Sequence, residues 1–218
     1  MGLLRRSPET GVISESPRIE VVDDFASAEE CAHVIELARG DMGSASIINA
    51  EGESVENNLR RTANIGWVFT DQSPTIKDLV ARAAELADLP ARQCERIQVV
   101  HYEPGGKYTP HLDTFAEEVA AREGQRLKTG LLYLYEPAKG GATSFPKAKA
   151  KVKPKIGRLA LFDLVHPGTS EPNVDAVHAG TPVWSGEKWV CNFWFRDRPV
   201  RMASAKKSKK SKKAKRRR

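Results

Sequence analysis

The apolar positions change their spacing partway along the chain. In SAEECAHVIELARG (27–40), Cys31, Val34, Ile35 and Ala38 recur at steps of three and four, which stacks them on one face of a helix. Ser27 followed by Glu30 makes a capping-box pattern, and Gly40 suits the stop. A second helix is marked by SPTIKDLVARAAELADLP: Ser73 caps it, Pro74 fits its first turn, and Pro90 ends it. Its apolar stripe is Ile76, Leu79, Val80, Ala83 and Ala87. Before these helices, IEVVDDF (19–25) reads as a short strand, and between them residues 43–70 are polar with strand-like pieces such as NIGWVF. After Pro90 come ERIQVVHY, TGLLYLY, GRLALFDL, VDAVHAG and KWVCNFWF, short runs of β-formers separated by Gly and Pro clusters. No long helical pattern interrupts them, which predicts an antiparallel barrel or jelly roll. In the last run, alternation sets Lys188, Val190, Asn192 and Trp194 on one face, with Trp189, Cys191, Phe193 and Phe195 on the other.

Composition adds a division into parts. The 218 residues suit one domain with appendages. The formal charge is +7, but residues 199–218 hold 11 Lys and Arg and no acid, which leaves the first 198 residues at −4. The expected organisation is a loose leader over 1–17, a folded domain over 18–198 and a disordered basic tail over 199–218. Such a tail suits a contact with nucleic acid or the ribosome. Three cysteines, Cys31, Cys94 and Cys191, form no C-x-x-C pair and give no disulfide framework. They fit a reducing cytoplasm. The N-terminus lacks the apolar run of a secretory signal, and nothing approaches a membrane-spanning length, so no membrane partner is expected.

The chemistry concentrates in HYEPGGKYTPHLDTF (101–115), where His111 and Asp113 stand two apart. On an extended strand they would aim at one spot. Iron(II) oxygenases hold their metal with two histidines and one carboxylate, so a second histidine is needed from among His33, His101, His166 and His178. His178 is followed ten residues later by Lys188, and a strand, turn and returning strand would bring the two together. A lysine beside a metal is favourable when an anion lies between them, as the carboxylates of a 2-oxo acid would.

These segments resemble the 2-oxoglutarate and iron(II)-dependent dioxygenases of the prolyl 4-hydroxylase type. The resemblance rests on ERIQVVHYEPGGKYTPHLDTF, GQRLKTGLLYLYEPAKGGATSFP and HAGTPVWSGEKWVCNFWFRDR, more weakly on LRRTANIGWVF, and spans roughly residues 20–198. It implies an α+β fold with a double-stranded β-helix (jelly-roll) core and N-terminal helices packed against it. It also implies iron(II) on His111, Asp113 and His178, and Lys188 on the distal carboxylate of 2-oxoglutarate. Tyr102 and Thr129 would line the cosubstrate pocket, and Arg126 and Trp194 would lie near the substrate. O2 is the second cosubstrate and ascorbate a further candidate cofactor. The implied activity is hydroxylation of a prolyl residue in a protein or peptide, with the polar segment from Gly43 to Phe69 closing over that peptide. Ala142 stands where the family usually has glutamate and Tyr135 where it has asparagine; neither is a ligand, so both bear on substrate choice. Two rival readings are the same mechanism on a free amino acid, small molecule or nucleic acid, and a non-catalytic jelly-roll module tethered to nucleic acid. The intact triad with Lys188 disfavours the second.

Overall fold

The computed structural model describes residues 10–44, 46–48, 54–56 and 61–200. The N-terminal part holds β1 (Thr10–Glu15), β2 (Arg18–Val22), helix α1 (Ala28–Arg39), β3 (Gly43–Ser44), β4 (Ser46–Ile48), β5 (Ser54–Glu56), β6 (Arg61–Thr62), β7 (Asn64–Val68) and helix α2 (Pro74–Ala87). Next come β8 (Ile97–Tyr102), β9 (Lys107–His111), helix α3 (Glu117–Glu123), β10 (Arg126–Tyr135), β11 (Lys139–Gly140), β12 (Thr143–Phe145) and β13 (Ala150–Val152). The chain closes with β14 (Leu159–Asp163), β15 (His178–Gly180), β16 (Val183–Ser185) and β17 (Lys188–Arg196). An eight-stranded sheet runs β1-β2-β14-β10-β17-β8-β7-β3, and a five-stranded sheet runs β13-β12-β15-β9-β6. Their paired strands are antiparallel, with long connections crossing between the sheets. This is the jelly-roll core with helices that the sequence predicts.

The two faces of the large sheet face different partners. Trp189, Cys191, Phe193 and Phe195 of β17 pack with Ile97, Val99, Leu132 and Leu134 against the helices. Val190 joins Tyr102, Tyr133, Phe145 and Phe162 in a second cluster, on the side of the small sheet. The predicted alternation of β17 is therefore real, and Lys188 and Trp194 share the inner face with Val190. The helix stripes are buried as read: Cys31, Val34, Ile35 and Ala38 in α1, and Ile76, Leu79, Val80, Ala83 and Ala87 in α2. Each large aliphatic buried this way stabilises the docking by roughly 1.5–3 kcal/mol. The capping box is complete, with Glu30 N–H donating to Ser27 Oγ at 3.2 Å and Ser27 N–H to Glu30 Oε2 at 2.8 Å. In α2, Ser73 Oγ accepts from Ile76 N–H at 3.2 Å, and Asp88, not Pro90, forms the left-handed cap with φ 53°. Gly157, between β13 and β14, has φ +77°, and an added Cβ would run into the Ala26 carbonyl, so only glycine fits there.

Three expectations change. Residues 10–15 are not a loose leader: they form β1, paired with β2 at the sheet edge. Val12 and Ile13 stay exposed there, so no buried face announced the strand. The stretch from 43 to 69 is not a single lid, because β7 is built into the large sheet between β8 and β3. Within it β4 and β5 pair antiparallel, with Ile47 opposite Val55. Helix α3 was not foreseen; it buries no residue, so it carries no apolar stripe. The leader before Thr10 and the basic tail from Arg201 lie outside the described residues.

Candidate metal centre and cosubstrate pocket

Strands β9 and β15 are neighbours in the small sheet, and their register sets His178 directly opposite His111. Asp113 lies two residues past His111, just beyond the end of β9. One ligand atom from each of His111, Asp113 and His178 falls within 4.8 Å of the others. The Nε2 atoms of His111 and His178 each lie 3.6 Å from an Asp113 carboxylate oxygen, Oδ1 and Oδ2 respectively. The imidazole tautomers follow from the other nitrogens. His111 Nδ1 is 2.9 Å from the Thr109 carbonyl, and His178 Nδ1 is 3.1 Å from the Ala176 carbonyl. A carbonyl only accepts, so each Nδ1 carries the proton and each Nε2 presents a lone pair. Two neutral imidazoles and one carboxylate on one locus fit a hard-to-borderline divalent metal with open positions, as iron(II) oxygenases use. Burial, reinforced by the nearby His111, pushes His178 down to about 4, so its imidazole is neutral at physiological pH.

Asp113 is held in place from behind. Thr129 Oγ1 donates to its Oδ2 at 2.8 Å and Trp194 Nε1 donates to the same oxygen at 2.9 Å. Thr129 and Trp194 are cross-strand partners on β10 and β17, so one register step supplies both donors. Burial would raise the Asp113 carboxyl, yet the group is held well below the usual carboxylate range, with the Arg126 guanidinium among the positive groups that lower it. Arg126 stacks on Trp194 at 3.7 Å to the ring centroid and donates to the Asp113 carbonyl at 3.2 Å. Its Nε and Nη2 pair with Glu95 at 2.7 and 3.0 Å.

Lys188 opens β17 and points into the same interior, 2 % exposed. Its ammonium donates to the Gly141 carbonyl at 2.9 Å and sits 4.8 Å from the Tyr102 ring and 5.7 Å from that of Tyr133. Burial drives its pKa down to about 7. No carboxylate of the described residues pairs with this cation, so the pocket suits an anionic ligand. Sequence reasoning overlooked Tyr133 and Thr143, whose hydroxyls meet at 2.7 Å in the buried interior. Thr143 lies inside GGATSFP and Tyr133 inside TGLLYLY, so the signal was in the segments already singled out. It also overlooked Arg61, buried over the Tyr108 ring at 4.6 Å and bonded to Gln98 at 3.0 Å. The remaining histidines are elsewhere: His33 bonds Ser73, His101 bonds Glu187, and His166 sits in a loop.

A jelly roll holding two histidines and an aspartate beside a buried lysine defines the iron(II) and 2-oxoglutarate oxygenases, and residues 97–196 match the family described as the 2OG-Fe(II) oxygenase superfamily. Within that class the chain belongs to the prolyl 4-hydroxylases. It is 33% identical over 207 residues to Probable prolyl 4-hydroxylase 10 of Arabidopsis thaliana, covering 85% of this chain and 71% of that one. It is 35% identical over 204 residues to Prolyl 4-hydroxylase 1 of the same plant, covering 86% and 71%. Among solved structures, the viral collagen prolyl hydroxylase of Paramecium bursaria Chlorella virus-1, as its 2-oxoglutarate complex, aligns with TM-score 0.68 and 29% identity over 84% of this chain and 98% of that one. A Pseudomonas putida prolyl-4-hydroxylase shares the fold, with TM-score 0.58 and 22% identity over 83% and 92% of the two chains.

Proposed function

We propose that this protein hydroxylates prolyl residues in a protein or peptide, using iron(II), 2-oxoglutarate and O2. The observation that carries the reading is the buried triad, with two free Nε2 lone pairs, in one interior with an ammonium that has no carboxylate partner among the described residues. His111, Asp113 and His178 hold the iron, whose chemistry couples decarboxylation of 2-oxoglutarate to succinate and CO2 with insertion of one oxygen atom into a C–H bond. Lys188 binds the distal carboxylate, with Tyr102 and the Tyr133–Thr143 hydroxyl pair lining the pocket. Thr129 is better employed on Asp113: its hydroxyl and the Trp194 indole N–H both donate to Oδ2 and orient the carboxylate.

Arg126 is the substrate-side residue of this reading, and Trp194, expected there too, is buried behind it. A guanidinium has five N–H donors, and the contacts to Glu95 and the Asp113 carbonyl use three of them. The rest suit a peptide carbonyl, while the Trp194 ring is buried under the guanidinium and serves to hold it. An extended, polyproline-like segment suits such a site because its carbonyls are free of internal hydrogen bonds. Incubation with proline peptides, free proline and methylated oligonucleotides, followed by mass spectrometry, separates the substrate classes. Addition of one oxygen atom to peptide proline is expected; turnover confined to free amino acids or nucleobases would reject the assignment.

The lysine also sets a pH dependence. A bound dianion favours the ammonium, so 2-oxoglutarate binding raises the Lys188 pKa and takes up a proton above it. Affinity is full below pH about 7 and falls by about tenfold per pH unit above it, until the raised pKa of the complex is reached. Calorimetry in buffers of different ionisation heat checks this, because proton uptake at pH 8 makes the measured heat depend on the buffer.

The three buried free thiols, Cys31, Cys94 and Cys191, support a reducing compartment, the cytoplasm. Among the described residues no helix is long and apolar enough to cross a membrane. The basic tail is read as a polyanion-binding arm, supported by its 11 positive charges in 20 residues and by the exposed Lys151 in β13 with Lys149 and Lys153 flanking that strand. Nucleic-acid binding by the full chain should then weaken steeply with salt through counterion release; a flat salt response would dismiss it.

A further inference from the structure

The strand that carries Lys188 is pinned from its outer face. Lys188 is the first residue of β17, and strand ends fray unless something holds them. The turn before it is tight: Gly186 has φ +75°, and an added Cβ would meet the Ala138 backbone nitrogen at 2.9 Å. One carboxylate oxygen of the next residue, Glu187, accepts two hydrogen bonds. His101 Nε2 reaches Glu187 Oε2 at 2.6 Å, and Trp189 Nε1 donates to the same oxygen at 3.1 Å. The His101 ring stacks on the Trp189 indole, with centroids 4.1 Å apart and an interplanar angle of 15°. Arg39 of α1 covers the other end of the contact, 5.5 Å from the Trp189 ring. The register explains the geometry, since β17 pairs with β8 so that Trp189 opposes His101 and Lys188 opposes Tyr102. Alternation puts the first pair outside and the second inside. Whatever fixes Glu187, His101 and Trp189 outside therefore fixes Lys188 and Tyr102 inside.

We propose that Glu187, clasped by His101 and the Trp189 indole, is a positioning residue that holds Lys188 on the distal carboxylate of 2-oxoglutarate. The proposal rests on the reading of Lys188 as the cosubstrate anchor. The Coulombic part of the clasp is small, because the Glu187 side chain is 45% exposed and solvent screens such pairs. Its effect is geometric: two donors converging on one oxygen fix the turn and the first residues of β17. The ammonium has one hydrogen-bond partner, the Gly141 carbonyl, and otherwise only the Tyr102 and Tyr133 rings beside it, so the backbone position of β17 bears on its aim. Loosening the turn spreads Lys188 over several positions, and an anion that needs one of them binds more weakly.

The experiment is steady-state kinetics on the full chain for the wild type, Glu187→Ala, Glu187→Gln, His101→Phe and Lys188→Ala, varying 2-oxoglutarate and peptide separately. Glu187→Ala is expected to raise KM for 2-oxoglutarate roughly five- to tenfold, the scale of one lost hydrogen-bonded pin. Its kcat and peptide KM should stay within about twofold. His101→Phe keeps the ring stack but removes the pin, so it should move the same constant in the same direction. Glu187→Gln retains an accepting oxygen and should recover most of the wild-type value. An unchanged 2-oxoglutarate KM in Glu187→Ala and His101→Phe, with a raised one in Lys188→Ala, overturns the clasp and leaves the anchor standing. Equal losses in kcat and peptide KM also overturn it, since they report general loosening. An unchanged KM in Lys188→Ala removes the anchor and the clasp together.

Discussion

Asp113→Ala is expected to abolish hydroxylation and to lower divalent-metal affinity by more than about a hundredfold, beyond the 10–100-fold typical of residues that only orient ligands. The substitution removes the single anionic ligand of the triad and strands two donors, Thr129 Oγ1 and Trp194 Nε1, that now meet at its Oδ2. His178→Ala should behave alike, because its Nε2 has no other role while its Nδ1 is tied to the Ala176 carbonyl. His166→Ala should leave metal binding and turnover intact, since that histidine lies in a loop outside the triad. Titration with manganese(II) by calorimetry reads affinity independently of activity, and circular dichroism checks that the jelly roll persists. Full metal binding in His178→Ala, with loss in His166→Ala, would mean that the wrong histidine has been assigned.

Lys188→Ala is expected to raise the 2-oxoglutarate concentration needed for half-maximal turnover by roughly ten- to a hundredfold, the equivalent of a charge-assisted contact of ~1.5–3 kcal/mol. Manganese(II) affinity should change far less, because Lys188 bonds the Gly141 carbonyl and no member of the triad. Lys188→Arg is not a conservative rescue: Gly141 has φ +69°, and even a Cβ there would meet the Lys188 side chain at 3.1 Å. Varying 2-oxoglutarate at saturating peptide gives the constant directly. An unchanged value in Lys188→Ala would move the distal carboxylate elsewhere in the pocket.

Much of the site could be read from local spacing. His111 and Asp113 are two residues apart at the end of β9, so local spacing sets that pair; His178 and Lys188, ten apart, are not joined by the expected hairpin but lie in different sheets, β15 in the small one and β17 in the large, across the crossover through β16. The helix stripes were equally plain, because Ile76, Leu79, Val80 and Ala83 repeat on one face and all are buried. What escaped depends on register between strands distant in sequence. That Thr129 and Trp194 converge on Asp113 follows from the pairing of β10 with β17, 65 residues apart at that rung, which no local pattern encodes. The Glu187–His101 contact likewise follows from β17 pairing with β8. The strand β1 and helix α3 escaped for the opposite reason: neither buries a continuous apolar face that would mark it. Arg126 and Trp194 were read as substrate residues from their resemblance alone. Their contacts with Glu95 and Asp113 show that they brace Asp113, a role with no signature in the order of residues.

Turnover of a proline peptide under isotopically labelled O2 tests the central claim most directly. With iron(II) and 2-oxoglutarate present, one labelled oxygen atom should appear in the hydroxylated proline and the other in succinate, in equal amounts, and both should vanish in Asp113→Ala. Label entering the peptide without 2-oxoglutarate, or succinate forming while proline peptides stay unmodified, would contradict the assignment of this site to prolyl hydroxylation.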